Sequence, residues 1–318
     1  MPNFDIFNGD ADGICAIHQI RLNNPQESTL VTGVKRDTLL LKHVISVKNS
    51  VLTVLDISSH ANRESLLQLL KQGNTIHYFD HHFSGEIPEF PLFHPHIDTS
   101  PDVCTSIIVD RFLKGVHRSW AKVACFGYNL HYSALKLADS LNLDTKETEK
   151  LREMRELINY NSYGETKEDL YYSPESLYRT ISTFSEPLEF LHSSGELVKF
   201  REGFLNDMEL AEAIFLEMDC NAGRIFLFPN EAWCRRICGI FINKIAREEP
   251  YLAHLLLVER QDDTFRISVR APIAKPYGAE KLCIKFAGGG RAMAAGINDL
   301  APEEVELFFE AFEKQFVT

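Results

Sequence analysis

Over the first 140 or so residues, short runs of β-branched and aromatic residues alternate with stretches whose apolar residues recur at helical spacing. That alternation is the pattern of a parallel sheet, because parallel neighbours need a crossover long enough to hold a helix. Strands are expected near 3–8, 29–34, 51–56 and 75–80. Between them, Gly13 to Leu22 sets Ile14, Ile17 and Leu22 at helical spacing, and Ser59 to Leu70 sets Leu66, Leu67, Leu69 and Leu70 against polar neighbours. Ser58 or Ser59 is the expected cap of the second helix.

With 318 residues the chain exceeds one typical domain. From Ser119 to Phe215 the pattern turns helical and polar, with helices at Leu151–Tyr160 and Glu189–Phe200 around an aromatic-rich loop, Tyr160–Tyr172. A second β-rich unit starts near Asn221. Its expected strands are Arg224–Phe228, His254–Glu259 and Thr264–Ala271, and its helices Ala232–Arg247 and Pro302–Phe316. The expected organisation is therefore α/β: a parallel-sheet domain over 1–140, a helical connector over 141–220 and a smaller α/β domain over 221–318.

No apolar run reaches the roughly 18 residues a membrane span needs, and Met1 to Asp5 does not read as a signal peptide, so a cytoplasmic protein is expected. The seven cysteines form no C-x-x-C pair and mostly sit in apolar surroundings, which reads as reduced, buried thiols. A net charge of −12 argues against a long nucleic acid as partner, because that affinity comes largely from Lys and Arg replacing condensed counterions. A small phosphorylated substrate held by a few arginines is compatible with it. Oligomeric state is not legible in the sequence, and a homodimer is allowed.

Polar residues cluster where the expected strands end. Asn8, Asp10 and Asp12 follow the first strand at alternate positions, with Gly9 and Gly13 permitting close backbone approach; they fit either a polar turn and helix cap or an oxygen cage for a hard cation. Asp56 follows the third strand and, taken alone, reads as an N-cap before it reads as a ligand. The run Asp80-His81-His82 closes the fourth, where a carboxylate beside imidazoles suits a two-metal hydrolytic centre. The adjacent imidazoles point in different directions, so one is expected to ligate and the other to face substrate or to be packed. In a doubly wound sheet, all of these lie at the edge where ligands collect.

These motifs, in this order and spacing, resemble the DHH phosphoesterase superfamily, which includes RecJ-type exonucleases, short-oligoribonucleotide and nucleoside bisphosphate phosphatases, cyclic dinucleotide phosphodiesterases and an exopolyphosphatase branch. Asp10-Ala11-Asp12-Gly13 is similar to the first family motif, Asp56 to the second and Asp80-His81-His82 to the third. Gly288-Gly289-Gly290-Arg291-Ala292-Met293-Ala294-Ala295-Gly296 resembles the glycine-rich motif of the accessory domain. The resemblance implies Asp10, Asp12, Asp56 and His81 as ligands of a two-manganese or related divalent centre, magnesium included, with Asp56 bridging and His82 near the substrate phosphate. Asn8 stands where RecJ-like patterns carry another acid, and Ile6 where some branches carry histidine. Tyr128, in Phe126-Gly127-Tyr128-Asn129, occupies the acidic position of the fourth motif, with Asn129 or His131 as substitutes. A neutral phenol binds a hard metal weakly, so the resemblance also allows a damped or noncatalytic nucleotide-binding protein.

In the second domain, Arg235, Arg236, Arg270 and Arg291 are the expected substrate cations, since a guanidinium grips phosphate bidentately. Gly289 and Gly290 offer backbone N–H groups to the same oxyanion or form a simple turn. Lys35-Arg36 follows the second strand and reads as a solvated charge pair or as facing the cleft, and Tyr160, Tyr163, Tyr171 and Tyr172 as either base-stacking or packing residues. The expected reaction is metal-dependent hydrolysis of a phosphoester in a small nucleotide or short oligonucleotide held between the two domains.

Overall fold

The computed structural model describes residues 1–126, 144–214, 218–220 and 222–317. The chain divides into two compact units, Met1–Arg201 and Glu202–Thr318.

The first unit is built on five parallel strands: β1 (Asn3–Asn8), β2 (Thr29–Gly33), β3 (Val51–Leu55), β4 (Thr75–Asp80) and β5 (Phe93–Ile97), in the order β2-β1-β3-β4-β5. The central strands are near-continuous apolar runs because both faces of a parallel sheet are covered. Ile6, Leu52, Val54, Ile76 and Tyr78 are buried with Leu66, Leu69 and Leu70 of α2 (Arg63–Lys71). Four strands fall where the sequence pattern sets them. The fifth, Phe93-His94-Pro95-His96-Ile97, carries a proline, which a strand tolerates at the sheet edge. Its His94 and His96 stack on His77 and Phe79 of β4.

Helix α1 (Ala11–Asn23) is buried over its whole circumference from Ala11 to Ile20, packing on the sheet and against α3 (Thr105–Phe112) and α4 (Arg118–Cys125). Helix α2 begins four residues later than its polar-apolar pattern suggests. Ser58 Oγ accepts from the Ala61 N–H at 3.3 Å and holds a turn ahead of it, and Asn62 is the residue before the helix. Further on come α5 (Thr145–Ser162), opened by the reciprocal Asp144–Glu147 cap, then α6 (Pro174–Ile181), α7 (Pro187–Ser193) and α8 (Gly195–Ala213). The helix expected over Glu189–Phe200 is two helices, because Ser194 leaves helical geometry and its Oγ caps the next helix through the Leu197 N–H.

The second unit is a six-stranded mixed sheet of β6 (Met218–Cys220), β7 (Gly223–Phe228), β8 (Ala253–Glu259), β9 (Phe265–Arg270), β10 (Gly289–Arg291) and β11 (Ala294–Leu300), in the order β10-β11-β9-β8-β7-β6. Only the β7–β8 pair is parallel. Leu255, Leu257, Ile267 and Val269 form one core with α10 (Ala279–Ile284) and with Phe308 and Phe312 of α11 (Val305–Phe316). Phe226 and Phe228 pack instead on Phe241 of α9 (Ala232–Glu248). The glycine-rich run forms the β10–β11 hairpin. At Gly290, with φ +146°, an added Cβ would meet Ala295 Cα at 2.5 Å, so this position is closed to larger residues.

Cys15, Cys104, Cys125, Cys234, Cys238 and Cys283 are free and buried. Among the described residues, no helix is long and apolar enough to cross a membrane.

Candidate metal centre

The strand order places a topological switch between β1 and β3, where the chain leaves neighbouring strands in opposite directions and opens a crevice at their carboxyl ends. Asp10 and Asp12 follow β1, Asp56 follows β3 and Asp80 closes β4. All four are at most 2% exposed. So many buried carboxylates are stable only with compensating donors or cations.

Two of the four are held by backbone. Asp10 caps α1, its Oδ1 accepting from the N–H groups of Asp12 (2.9 Å) and Gly13 (3.1 Å), while Lys35 Nζ donates to Oδ2 at 2.5 Å. Burial alone would raise the Asp10 pKa, but the Lys35 ammonium and the capping groups outweigh it and hold the carboxyl well below the usual range. Asp12 reaches across to the start of α3: its Oδ2 accepts from Thr105 N–H at 2.9 Å and its Oδ1 from Ser106 N–H at 2.8 Å. Gly13 is required beside it, since a Cβ there would lie 2.2 Å from the Asn8 carbonyl oxygen.

Asp56 is differently placed. Its backbone sits in the left-handed region (φ 60°), fixed by donation of its N–H to the Phe79 carbonyl at 3.0 Å. Such strain in a non-glycine residue persists where the surroundings enforce it, commonly at functional sites. Thr105 Oγ1 donates to Asp56 Oδ1 at 2.9 Å, and His81 Nε2 lies 3.5 Å from the same oxygen. Burial, and then the Asp12, Asp10 and Asp80 carboxylates, push the Asp56 pKa well above its ordinary value.

The two histidines have different surroundings. Ligand atoms of Asp56, His81 and His82 all lie within 4.8 Å of one another. His82 Nδ1 is 2.7 Å from Asp80 Oδ1, and its side chain is 43% exposed. Burial would lower the His82 pKa, but the hydrogen-bonded Asp80 carboxylate, aided by Asp12 and Asp10, raises it. Asp80 Oδ2 is buried without a hydrogen-bond partner. A carboxylate and two imidazoles converging beside an unmet buried carboxylate oxygen suit manganese or a related divalent ion.

Asn8 lies in the same crevice, but both ends of its amide meet backbone: Oδ1 accepts from Asp10 N–H at 3.1 Å and Nδ2 donates to the Lys35 carbonyl at 3.1 Å. Lys35, which the sequence allows either in solvent or facing the cleft, bridges the end of β2 to Asp10. Thr105, which holds Asp12 and Asp56 together, and Asn159, whose Oδ1 accepts from Ala11 N–H at 3.0 Å, carried no sequence signal. Tyr128, Asn129 and His131 lie outside the described residues.

The remaining predicted residues belong to the second unit. Arg270 and Arg291 both stand opposite Ala294, one on each neighbouring strand, which sets them in one row about 10 Å apart. Arg270 Nε donates to Asn243 Oδ1 at 2.7 Å and Nη1 to the Val269 carbonyl. Arg291 and Gly289 are exposed at the hairpin edge, next to Gly290. Arg236 is buried in a two-point pair with Asp207, at 2.8 and 3.0 Å.

A parallel sheet of this order, followed by a smaller mixed-sheet unit, is a RecJ-like fold. No family model and no curated protein matches the sequence. Solved structures do. An exonuclease RecJ bound to manganese superposes with a TM-score of 0.63 at 16% identity, over 98% of this chain and 89% of that one. RecJ from Thermus thermophilus in complex with Mn2+ gives 0.65 at 16% identity, over 98% of this chain and 51% of that one, so the present chain spans about half its length. A pGpG-specific phosphodiesterase, PggH from Vibrio cholerae, gives 0.59 at 11% identity, over 99% of both chains.

Proposed function

We propose that this protein is a divalent-metal-dependent phosphoesterase acting on a small nucleotide or short oligonucleotide. The observation that carries the reading is the convergence of Asp56, His81 and His82 at the switch point, beside the partnerless Asp80 Oδ2. RecJ structures holding manganese and a phosphodiesterase that acts on pGpG share the fold.

Asp56 and His81 would hold the metal, with Asp10 and Asp12 completing its oxygen ligands and Asn8 shaping the turn that presents them. When bound, a divalent ion supplies Lewis acidity toward a phosphoryl oxygen. The chain's own residues do the rest. Lys35 keeps Asp10 ionised, and Thr105 fixes the spacing of Asp12 and Asp56. Asp80 orients His82 so that its outer ring nitrogen can donate a proton or hydrogen bond to a phosphate oxygen. Phe83 follows directly and is 70% exposed, offering a ring face to a base. Arg270 and Arg291, sharing a row, are the proposed contacts to substrate phosphate, and Arg236 supports their unit through Asp207.

The test is nucleotide or phosphate release with added manganese from short oligonucleotides, dinucleotides, a nucleoside bisphosphate and polyphosphate, with Asp56→Ala as the paired control. Release by the wild type that the folded variant loses supports the reading. Full turnover by folded Asp56→Ala sinks it.

A further inference from the structure

Strands β4 and β5 carry a second group of metal-binding side chains, which the proposed chemistry leaves unused. Asp5, Thr53, His77 and His94 are register partners on four adjacent strands and so share one face of the sheet. Phe79 and His96, two residues further on, form the next row of that face. His77 and His94 stack with ring centroids 4.8 Å apart and planes 24° from parallel. His96 stacks on Phe79 at 4.5 Å and meets Phe112 of α3 at 4.7 Å. His94 is exposed, and His77 and His96 are half-buried, so the row is open to solvent at its outer end.

Among the described residues, none of these three imidazoles has a hydrogen bond or an ion pair. The charged pair at the inner end of the row is closed on itself: Arg21 Nε donates to Asp5 Oδ2 at 2.7 Å, and Nη2 donates to Thr53 Oγ1 at 3.2 Å. Burial, and then His94, His96 and Arg21, lower the His77 pKa; burial, and then His94, lower that of His96. A neutral imidazole offers a lone pair to a metal, and a protonated one does not. Nitrogen donors without carboxylates suit zinc, nickel or copper, whereas manganese and magnesium take oxygen. A tetrahedral ion spaces two imidazole nitrogens about 3.4 Å apart. Rings stacked at 4.8 Å reach that span by tilting, and no hydrogen bond locks either of them.

We infer that His77 and His94 form a second metal site, for a borderline divalent ion of the zinc, nickel and copper class, with His96 at its flank and water in the remaining positions. The donor set separates it from the carboxylate-rich strand-end cluster, and the inference does not depend on the phosphoesterase reading. His77 lies on β4, the strand that ends in Asp80. An ion held here ties the proline-bearing edge strand β5 to the strand that leads into His81 and His82.

The test is zinc binding by calorimetry to the untagged full chain, wild type beside His94→Gln, His77→Gln/His94→Gln and Asp56→Ala. His94 is exposed, so the single variant keeps the fold even where the double variant does not. The wild type should bind zinc at micromolar concentration, and one equivalent should weaken by at least about tenfold in His94→Gln. The double variant should lose that equivalent, Asp56→Ala should keep it, and excess manganese should not displace it. Zinc binding that is unchanged in both histidine variants overturns the inference. So does loss of the same equivalent in Asp56→Ala, or its displacement by manganese, since either places the ion at the strand ends. Zinc binding that begins only in the millimolar range marks adventitious capture by surface histidines and overturns it as well.

Discussion

Replacing Asp12 with alanine tests whether this carboxylate is a strut as well as a candidate ligand. Both of its oxygens accept backbone N–H groups at the start of α3, at 2.9 and 2.8 Å, and it is 1% exposed. Hydrogen bonds to a charged acceptor contribute about 1.5–3 kcal/mol each, and leaving a buried donor unmet costs about 1–3 kcal/mol. Relief of repulsion on Asp56 works in the opposite direction. The net loss expected for the metal-free protein is about 3 kcal/mol, or roughly 6–12 °C in Tm for a unit of this size. Asp12→Asn should lie between, because it keeps one acceptor but turns an N–H₂ toward the other donor. The assay is urea unfolding in a Trp233→Phe background, so that Trp120, buried in the first unit, is the sole tryptophan reporter. A variant within about 0.5 kcal/mol of its parent would refute the strut.

Lys35→Met removes the cation from Asp10. With the lysine side chain 27% exposed, the loss should be about 2 kcal/mol without metal, below the 3–5 kcal/mol of a fully buried pair, and smaller at saturating manganese; equal losses in the two states would contradict the assignment. His18 lies buried edge-on to Trp120, its Nε2 2.9 Å from the Phe184 carbonyl oxygen, and burial lowers its pKa to about 4. A depressed imidazole stabilises the fold above the unfolded value near 6.5. About 3 kcal/mol should therefore be lost as pH falls from 6.5 toward 4, and His18→Gln should flatten that slope in pH-dependent unfolding. His82 has the opposite sign: its raised pKa gives stability that is full below about pH 6.5 and fades as pH rises through the raised value. The difference between the metal-free wild type and His82→Gln should accordingly be larger at pH 6 than at pH 8.

Much of the first sheet was legible because buried parallel strands are written as dense apolar runs, and Val51–Leu55 is one. Strand β5 was not, since its proline and two histidines mark an edge strand that only its pairing with β4 makes regular. The carboxylates and histidines stood out because each follows a strand directly. Their supports did not: Lys35, Thr105 and Asn159 act through contacts spanning 25 to 148 residues, which no local spacing encodes. Arg236 shows the converse. An arginine in a helix reads as a substrate cation until its partner, Asp207, is found 29 residues away.

The most direct test of the central claim is a manganese titration of the full chain followed by electron paramagnetic resonance, wild type beside folded Asp56→Ala. The account predicts that the wild type depletes the free-ion signal at micromolar protein and that the variant does not. Undiminished manganese binding by Asp56→Ala would show that the ion is held elsewhere and that the strand-end cluster is not its site.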